Sequence, residues 1–392
     1  MSLSRFALII LALANAGSVI GMTLITPSLT MIKSNFAASA DKTQLILTSF
    51  LFFVAIGQLV FGTLSDKIGR RPIIIFGAFL YSIGGLLAII SPYIEFLIFM
   101  RVIQGLGAAA CLSMARVMVN DSFQREEAAQ KLSFITAVMV IFPNVALISG
   151  GIIADTIGWR GSMFTLSIFG FFLFLCTLKF IPETKPLNFE KFSNSEILNS
   201  YYKVISNKTF LNFTILGATQ TAIFFSTFSF MPYEFDRMGI SSTEFSIWLA
   251  FNGLGYFIGN LINSNYASKI GISKMVFIGC LGTSFAFGLM FVFHILNFKY
   301  PLFISLPLFI FGFFNGITIA NSIIGGISAT GKLSGTATGI AGATQMTFTA
   351  ILGSFIIACG GDKSFALCII IILILNCLAI YSSSVIHWKK IK

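Results

Sequence analysis

Twelve apolar runs of about twenty residues follow one another along the 392-residue chain, separated by short polar segments. A bilayer core about 30 Å thick needs roughly 20 apolar residues per spanning helix. Backbone polar groups in lipid must be satisfied within their own segment, so these continuous runs predict helices. The predicted spans lie near 6–32, 43–65, 72–91, 96–119, 132–154, 161–180, 209–232, 243–266, 273–297, 301–325, 336–358 and 364–386.

Composition excludes a soluble enzyme. Hydrophobic residues make up 56% of the chain and charged residues 10%, against about 25% charged residues in soluble domains. The six cysteines lie in apolar runs without a Cys-x-x-Cys pair, and neither histidine has metal-ligating neighbours at a suitable spacing. We therefore expect no metal, no cofactor and no enzymatic activity. A membrane enzyme or receptor would need a catalytic constellation or an appended soluble domain, and the longest polar stretch runs only from about 182 to 208.

The basic residues predict the orientation. With the N-terminus placed inside, 18 of the 25 lysines and arginines fall on its side, Arg116 among them. This bias predicts a multi-pass membrane protein with both termini cytoplasmic. The net charge of +11 is spread over many short loops, so nucleic acid is not an expected partner. Abundant Phe, Ile, Asn and Lys suggest an AT-rich genome and hence a bacterial inner membrane. The long polar stretch predicts six-helix bundles at 1–182 and 209–392 joined by a cytoplasmic linker at 183–208.

The most specific motif lies between the second and third runs, at residues 62–72. Gly62 and Gly69 permit close backbone approach and a tight turn. Asp66 stands among cations and favours an arginine partner. Pro72 suits the first turn of the following helix. This segment resembles the signature loop of the major facilitator superfamily.

A second segment, Arg101-Val-Ile-Gln104-Gly105-Leu-Gly107, is similar to the fourth-helix motif of that superfamily. Its glycines favour close helix packing over dinucleotide binding, because no strand precedes them. The resemblance covers the whole chain. It implies an all-α membrane protein with twelve transmembrane helices in two pseudo-symmetric six-helix halves that expose a central site alternately to the two faces.

Three further segments resemble the Bcr/CflA-type drug:proton antiporters: 115–121, 143–151 with 158–160, and 334–337. That resemblance implies a secondary active transporter that exports small amphipathic compounds or drugs, with the proton as coupling ion. It also implies that Asp66, Arg70 and Asp121 interact at the cytoplasmic face, with Asp66 near the start of helix eleven, and latch the two halves. The gating candidates are Gly62, Asp66, Gly69, Arg70, Arg116, Asp121, Pro143, Gly150 and Gly151.

Two positions depart from the antiporter pattern. Thr23 stands where these antiporters usually carry a first-helix acid, and Leu147 replaces the second proline of their fifth-helix motif. No Asp or Glu lies in the interior of a predicted span. A buried carboxylate is the natural proton carrier, so an alternative stays open: a facilitator or exchanger of a neutral or anionic metabolite.

Polar residues within the spans are the candidate substrate ligands. Each amide has the alternative role of an interhelical hydrogen bond, worth on average about 0.6 kcal/mol in membranes. Arg101 either lines a cavity or anchors the structure, and Phe224 either lines a cavity wall or packs against core or lipid. The expected partners are the bilayer and a small-molecule substrate, and the expected state is a monomer. The substrate-binding candidates are Asn15, Thr23, Arg101, Gln104, Asn144, Gln220, Phe224 and Asn252.

Overall fold

Helices form all the regular secondary structure of the described residues, which are 3–123, 125–185 and 194–388 of the computed structural model. Two single 3₁₀ turns, Thr26–Ser28 and Gly331–Leu333, adjoin helices. The α-helices are α1 Arg5–Thr23, α2 Leu29–Asn35, α3 Ala40–Ile68, α4 Arg70–Ile89, α5 Ile94–Ser122, α6 Arg125–Thr156, α7 Trp159–Phe180, α8 Asn194–Ile205, α9 Lys208–Arg237, α10 Ser242–Ile270, α11 Ile272–Ile295, α12 Leu302–Ser328, α13 Ser334–Ala358 and α14 Phe365–Trp388.

The predicted twelve-helix membrane architecture is confirmed. Eleven helical segments of the described chain are long and apolar enough to cross a membrane, and the shorter apolar helix Ile141–Thr156 occupies the place of the fifth predicted span. The first span differs in detail from the single helix expected at 6–32. It consists of α1 and α2 joined by the 3₁₀ turn at Pro27, because proline has no N–H to continue an α-helical ladder.

Local chemistry explains where several helices begin and end. The side chains of Ser4 and Ser39 accept hydrogen bonds from the backbone N–H groups of Ala7 and Lys42, which caps α1 and α3. Gly69 separates α3 from α4 with a φ of 104°, a conformation that side chains other than glycine rarely adopt. The tight turn predicted at Gly69 is therefore present.

The chain divides into two units. The first comprises Met1–Lys191 with Ser241–Ser246, and the second comprises Phe192–Ile240 with Ile247–Lys392. Part of the predicted linker is the helix α8, whose Val204 packs in one buried cluster with Phe210 and Ala337 of the second unit. Residues 186–193 of that linker lie outside the described residues.

Apolar and polar side chains are distributed as expected for a protein solvated by lipid. Large apolar side chains face outward, such as Phe171 at 53% and Ile374 at 67% exposure. Several amide side chains are fully buried, among them Asn15, Gln220 and Asn376. Because lipid cannot hydrogen-bond to these amides, each must find partners between helices.

Two Gly-x-x-x-Gly pairs of the sequence, one in α10 and one in α12, form a close helix crossing. A Cβ on Gly312 would collide with the carbonyl oxygen of Asn252, and one on Gly316 with that of Tyr256. Gly255 and Gly259 of α10 lie equally close to the carbonyls of Phe309 and Phe313 on α12. A third pair of this spacing, Gly335 and Gly339 in α13, forms no such crossing with described residues, because an added Cβ would meet nothing within 4 Å.

We expect Gly316→Val to destabilise the second unit by about 1–3 kcal/mol or more, because the added methyl groups force α10 away from α12. Gly339→Val, in the same motif but with open space, is the matched control and should lose much less. Thermal unfolding in detergent compares the two variants. Equal losses would contradict the close crossing of α10 and α12.

Candidate functional site

Arg70 lies between two carboxylates at the junction of α3 and α4. Its guanidinium pairs with Asp66, donates to Asp121 Oδ2 at 2.9 Å and reaches Ser65 Oγ at 2.7 Å. The side chain of Arg70 is 3% exposed, against 15% for Asp121 and 39% for Asp66. The structure therefore brings Asp66, Arg70 and Asp121 together, as their proposed joint role in gating requires. Their predicted latch to helix eleven stays a prediction.

A second set of contacts at this junction was missed by the sequence analysis. Glu183 accepts hydrogen bonds from the backbone N–H groups of Arg70 at 3.0 Å and Arg71 at 3.1 Å, at the N-terminus of α4. Arg71 in turn donates to the carbonyl oxygens of Leu178 and Ile181, both at 2.8 Å. The segment after α7 is thus tied to the first turn of α4. The one signal in the sequence was the position of Glu183, an acidic residue just after the sixth predicted span.

The ionisation of Glu183 should make this tie pH-dependent. Partial burial works to raise the pKa of the Glu183 carboxyl, but hydrogen bonds from the backbone N–H groups of Lys185, Arg70, Arg71 and Thr184 outweigh it and hold the pKa below its ordinary value. The stabilisation is therefore complete above the pKa of the unfolded chain and is lost as the pH falls through the folded-state pKa.

We expect Glu183→Gln to lower the unfolding temperature at neutral pH and to have little effect at acid pH, below the folded-state pKa. Differential unfolding of wild type and variant across that pH range measures the gap. A gap that persists unchanged into acid would show that the charge of Glu183 does not matter.

Arg101 is fully buried in the first unit, with acceptors from three helices around it. Its Nε donates to the carbonyl of Ile46 at 3.1 Å and its Nη2 to that of Gly21 at 2.8 Å. Gln104 Oε1 accepts from Nη1, and the Phe50 ring centroid lies 4.1 Å from Cζ. The guanidinium thus joins α1, α3 and α5, which is the structural role left open by the sequence.

Arg116 lies elsewhere than the sequence indicated. Its Nε donates to Asn15 Oδ1 at 3.2 Å, and Asn15 is the eleventh residue of α1, about 15 Å along that helix. The guanidinium is therefore inside the first helical bundle, and its grouping with the cytoplasmic basic residues needs this correction. No described contact joins Arg116 to the Asp66–Arg70–Asp121 cluster.

Gln220 is fully buried within the second unit and uses both ends of its amide there. Its Nε2 donates to Asn376 Oδ1 at 2.6 Å, and its Oε1 accepts from Thr283 Oγ1 at 3.1 Å and Asn315 Nδ2 at 3.2 Å. The network joins α9, α11, α12 and α14. Asn376 was missed by the sequence analysis, although an amide within the last apolar run was the available signal.

Phe224 belongs to an aromatic cluster in the second unit. Its ring centroid lies 5.3 Å from those of Phe225 and Tyr256 and 6.3 Å from that of Phe311. Phe224 and Phe225 remain partly exposed. Asn252 precedes Tyr256 by one helical turn, so both share a face of α10. Asn252 is buried, and neither amide atom has a hydrogen-bond partner among the described residues.

The other predicted residues occupy simpler positions. Thr23 is buried and donates to the carbonyl of Val19 in its own helix. Asn144 is partly exposed on α6, where Pro143 also lies. A Cβ on Gly150 would collide with the carbonyl of Leu24, and one on Gly151 with Ser246, whereas Gly62 has open space around it. Close approach is thus present at Gly150 and Gly151 but not at Gly62.

Comparison with known proteins identifies the same family as the motifs do. The family model described as Major Facilitator Superfamily matches residues 11–354. The uncharacterized MFS-type transporter YdgK of Bacillus subtilis is 30% identical over 250 residues, 62% of either chain. The chain thus spans less than two thirds of that relative's length.

A longer match and a solved structure extend this similarity. The bicyclomycin resistance protein homolog of Haemophilus influenzae is 25% identical over 86% of this chain and 85% of its own. A crystal structure of a D-xylose-proton symporter matches with a TM-score of 0.75 at 15% identity, covering 97% of both chains. At that identity the structural match supports the fold alone.

Proposed function

Because the chain belongs to the major facilitator superfamily, we propose that it is a secondary active transporter that exports small amphipathic compounds by alternating access. Similarity to a bicyclomycin resistance protein homolog supports export of drug-like compounds. We further propose a monomer with both termini cytoplasmic in a bacterial inner membrane. In this proposal the chain has no enzymatic activity, cofactor or nucleic-acid partner.

The aromatic cluster around Phe224 carries the proposal. Ligand sites for amphipathic compounds are mostly apolar and aromatic, with a few polar groups that fix orientation. Phe224 and Phe225 present partly exposed rings, and Asn252 on the adjoining helix has donors and an acceptor without described partners. An amphipathic compound would supply an apolar body for the rings and a polar group for the amide.

Proton entry is the proposed driving force. A charge moving down the membrane potential provides about 2.3 kcal/mol per 100 mV, enough for roughly a fifty-fold gradient. The acidic residues that the structure describes lie at or near helix ends or in loops. Asp66 in α3, Asp121 in α5 and Glu234 in α9 are examples. That placement favours a second candidate, a facilitator or exchanger of a neutral or anionic metabolite without proton coupling.

A substrate panel in proteoliposomes with an imposed pH gradient tests both candidates. We expect accumulation of one or more amphipathic compounds that collapses when an uncoupler dissipates the gradient. Flux that survives the uncoupler favours the facilitator or exchanger. The absence of any protein-dependent flux across a broad panel would contradict the proposed function.

A further inference from the structure

Two arginines of α5 lie in the interior of the first unit, and their surroundings differ. They stand fifteen residues apart, about 22 Å along the helix. Arg101 is fully enclosed, with its donors directed to Ile46, Gly21 and Gln104. Arg116 is partly exposed. Its contacts with described residues are Asn15 Oδ1 and, at 4.0 Å, the sulfur of Met139.

Asn15 holds the guanidinium of Arg116 in one orientation. Asn15 is fully buried, and its Nδ2 donates to the carbonyl of Ile135 at 3.2 Å and contacts Met139 Sδ at 3.4 Å. With its nitrogen committed to α6, the amide turns its oxygen toward Arg116. The Nε edge of the guanidinium is thereby occupied. Among the described residues the Nη atoms contact the Met139 sulfur, a weak acceptor at 4.0 Å, so their donors can serve an incoming group.

No described carboxylate balances the charge of Arg116. Asp121, one and a half turns further along α5, is paired with Arg70 at 2.9 Å. A cation at the centre of a spanning helix costs about 2.5–3.5 kcal/mol on insertion scales, and Arg116, six residues before the end of α5, bears part of that cost. A buried charge is usually paired or functional, and a planar guanidinium suits carboxylate, sulfonate or phosphate groups.

We propose that Arg116, oriented by Asn15, binds the anionic group of the transported compound, so that the substrate class is an apolar body carrying one negative charge. This inference rests on the proposed function. Loading neutralises the interior cation, and a negative-inside potential then favours export of the anion by about 2.3 kcal/mol per 100 mV. Export of an anion and entry of a proton move charge in the same direction, so the two driving forces add.

Three compounds that share a naphthalene ring and differ in charge test this assignment. They are the anion naphthalene-2-sulfonate, the neutral naphthalene-2-sulfonamide and the cation trimethyl(2-naphthyl)ammonium. Wild-type protein in phosphatidylcholine liposomes is assayed with potassium–valinomycin potentials of both signs. We expect protein-dependent flux of the sulfonate to reverse with the sign of the potential and to exceed that of the ammonium compound about tenfold or more, the worth of one charge-assisted hydrogen bond.

Variants separate charge from folding. Arg116→Gln should lower sulfonate flux about tenfold, and Arg116→Lys should retain part of it. Asn15→Asp places a nearly isosteric carboxylate beside the guanidinium and should also abolish sulfonate selectivity. Arg160→Gln, at an exposed arginine bonded to the carbonyl of Ile89, is the matched control and should behave as wild type. Monodisperse elution shows whether each variant is folded.

The outcomes are distinguishable. Transport of the sulfonamide or ammonium compound with no preference for the sulfonate overturns the inference but leaves the proposed function standing. Failure of all three compounds and of the wider panel overturns both. Sulfonate flux that is unchanged in folded Arg116→Gln and Asn15→Asp also overturns the inference. If anionic lipid raised the unfolding temperature of the wild type but not of Arg116→Gln, and the sulfonate raised neither, the ligand would be a lipid phosphate, again against the proposal.

Discussion

Arg70→Met should be among the most destabilising single substitutions in the chain, costing about 3–5 kcal/mol, the usual loss when one partner of a buried ion pair is removed. The side chain of Arg70 is 3% exposed, and that of its partner Asp121 is 15% exposed. The substitution leaves the Asp121 carboxylate without this arginine. Ser65 Oγ also loses a donor at 2.7 Å. Denaturant unfolding in detergent micelles measures the loss.

The double variant Arg70→Met/Asp121→Asn is the informative control. It removes the stranded charge, so we expect it to recover part of the stability lost by Arg70→Met. Asp66 is 39% exposed, so Asp66→Asn should cost little stability while lowering the transport rate if Asp66 serves as a latch. Normal expression with an unchanged transport rate would contradict the gating role.

Arg101→Met should destabilise the first unit by about 2 kcal/mol or more, whereas Arg116→Met should not. The substitution at Arg101 removes the guanidinium donors of the Gly21 carbonyl and of Gln104 Oε1, at about 1–3 kcal/mol for each buried group left unsatisfied. The Ile46 carbonyl, inside α3, keeps its backbone donor. Removing the buried guanidinium also removes the cost of burying its charge, which offsets part of this loss of stability. Arg116→Met removes a hydrogen-bond donor from one oxygen or nitrogen acceptor among the described residues, Asn15 Oδ1.

Unfolding temperatures of the two variants, measured side by side with the corresponding lysine variants, test this contrast. Arg101→Lys keeps the charge but cannot reach three separated acceptors from one ammonium group. It should therefore remain destabilised. Equal tolerance of methionine at both positions would contradict the distinct roles inferred for the two arginines.

The spanning helices were predictable because they follow from hydropathy, and the arrangement in two halves was implied by the resemblance to the superfamily. Runs of apolar residues predict spanning helices whatever the neighbouring helices do, and the Gly69 turn follows from the restricted backbone conformations open to other residues. The break of the first span at Pro27 was not predicted, because proline within membrane helices is often tolerated.

Side-chain partners were less predictable, because they depend on which helix faces lie together. Gln220, Asn315 and Asn376 fall within apolar runs of the sequence, but the runs could not show that the three amides share one hydrogen-bond network. Arg116 was grouped with the cytoplasmic basic residues, whereas α5 continues to Ser122 and the guanidinium of Arg116 reaches the middle of α1. Sequence spacing alone could not distinguish enclosed Arg101 from accessible Arg116.

Solute access to Arg116 is the central claim, and thiol labelling tests it most directly. In a Cys359→Ser/Cys377→Ser background, which removes the two exposed cysteines, Met139→Cys is treated with 2-sulfonatoethyl methanethiosulfonate. The side chain at position 139 contacts Arg116 Nη2 at 4.0 Å, so this variant probes the site and keeps the guanidinium. We predict modification of the folded protein at position 139 that slows when naphthalene-2-sulfonate is present and does not slow with the ammonium analogue. A thiol there that reacts only after unfolding, or at a rate indifferent to the sulfonate, would contradict the account.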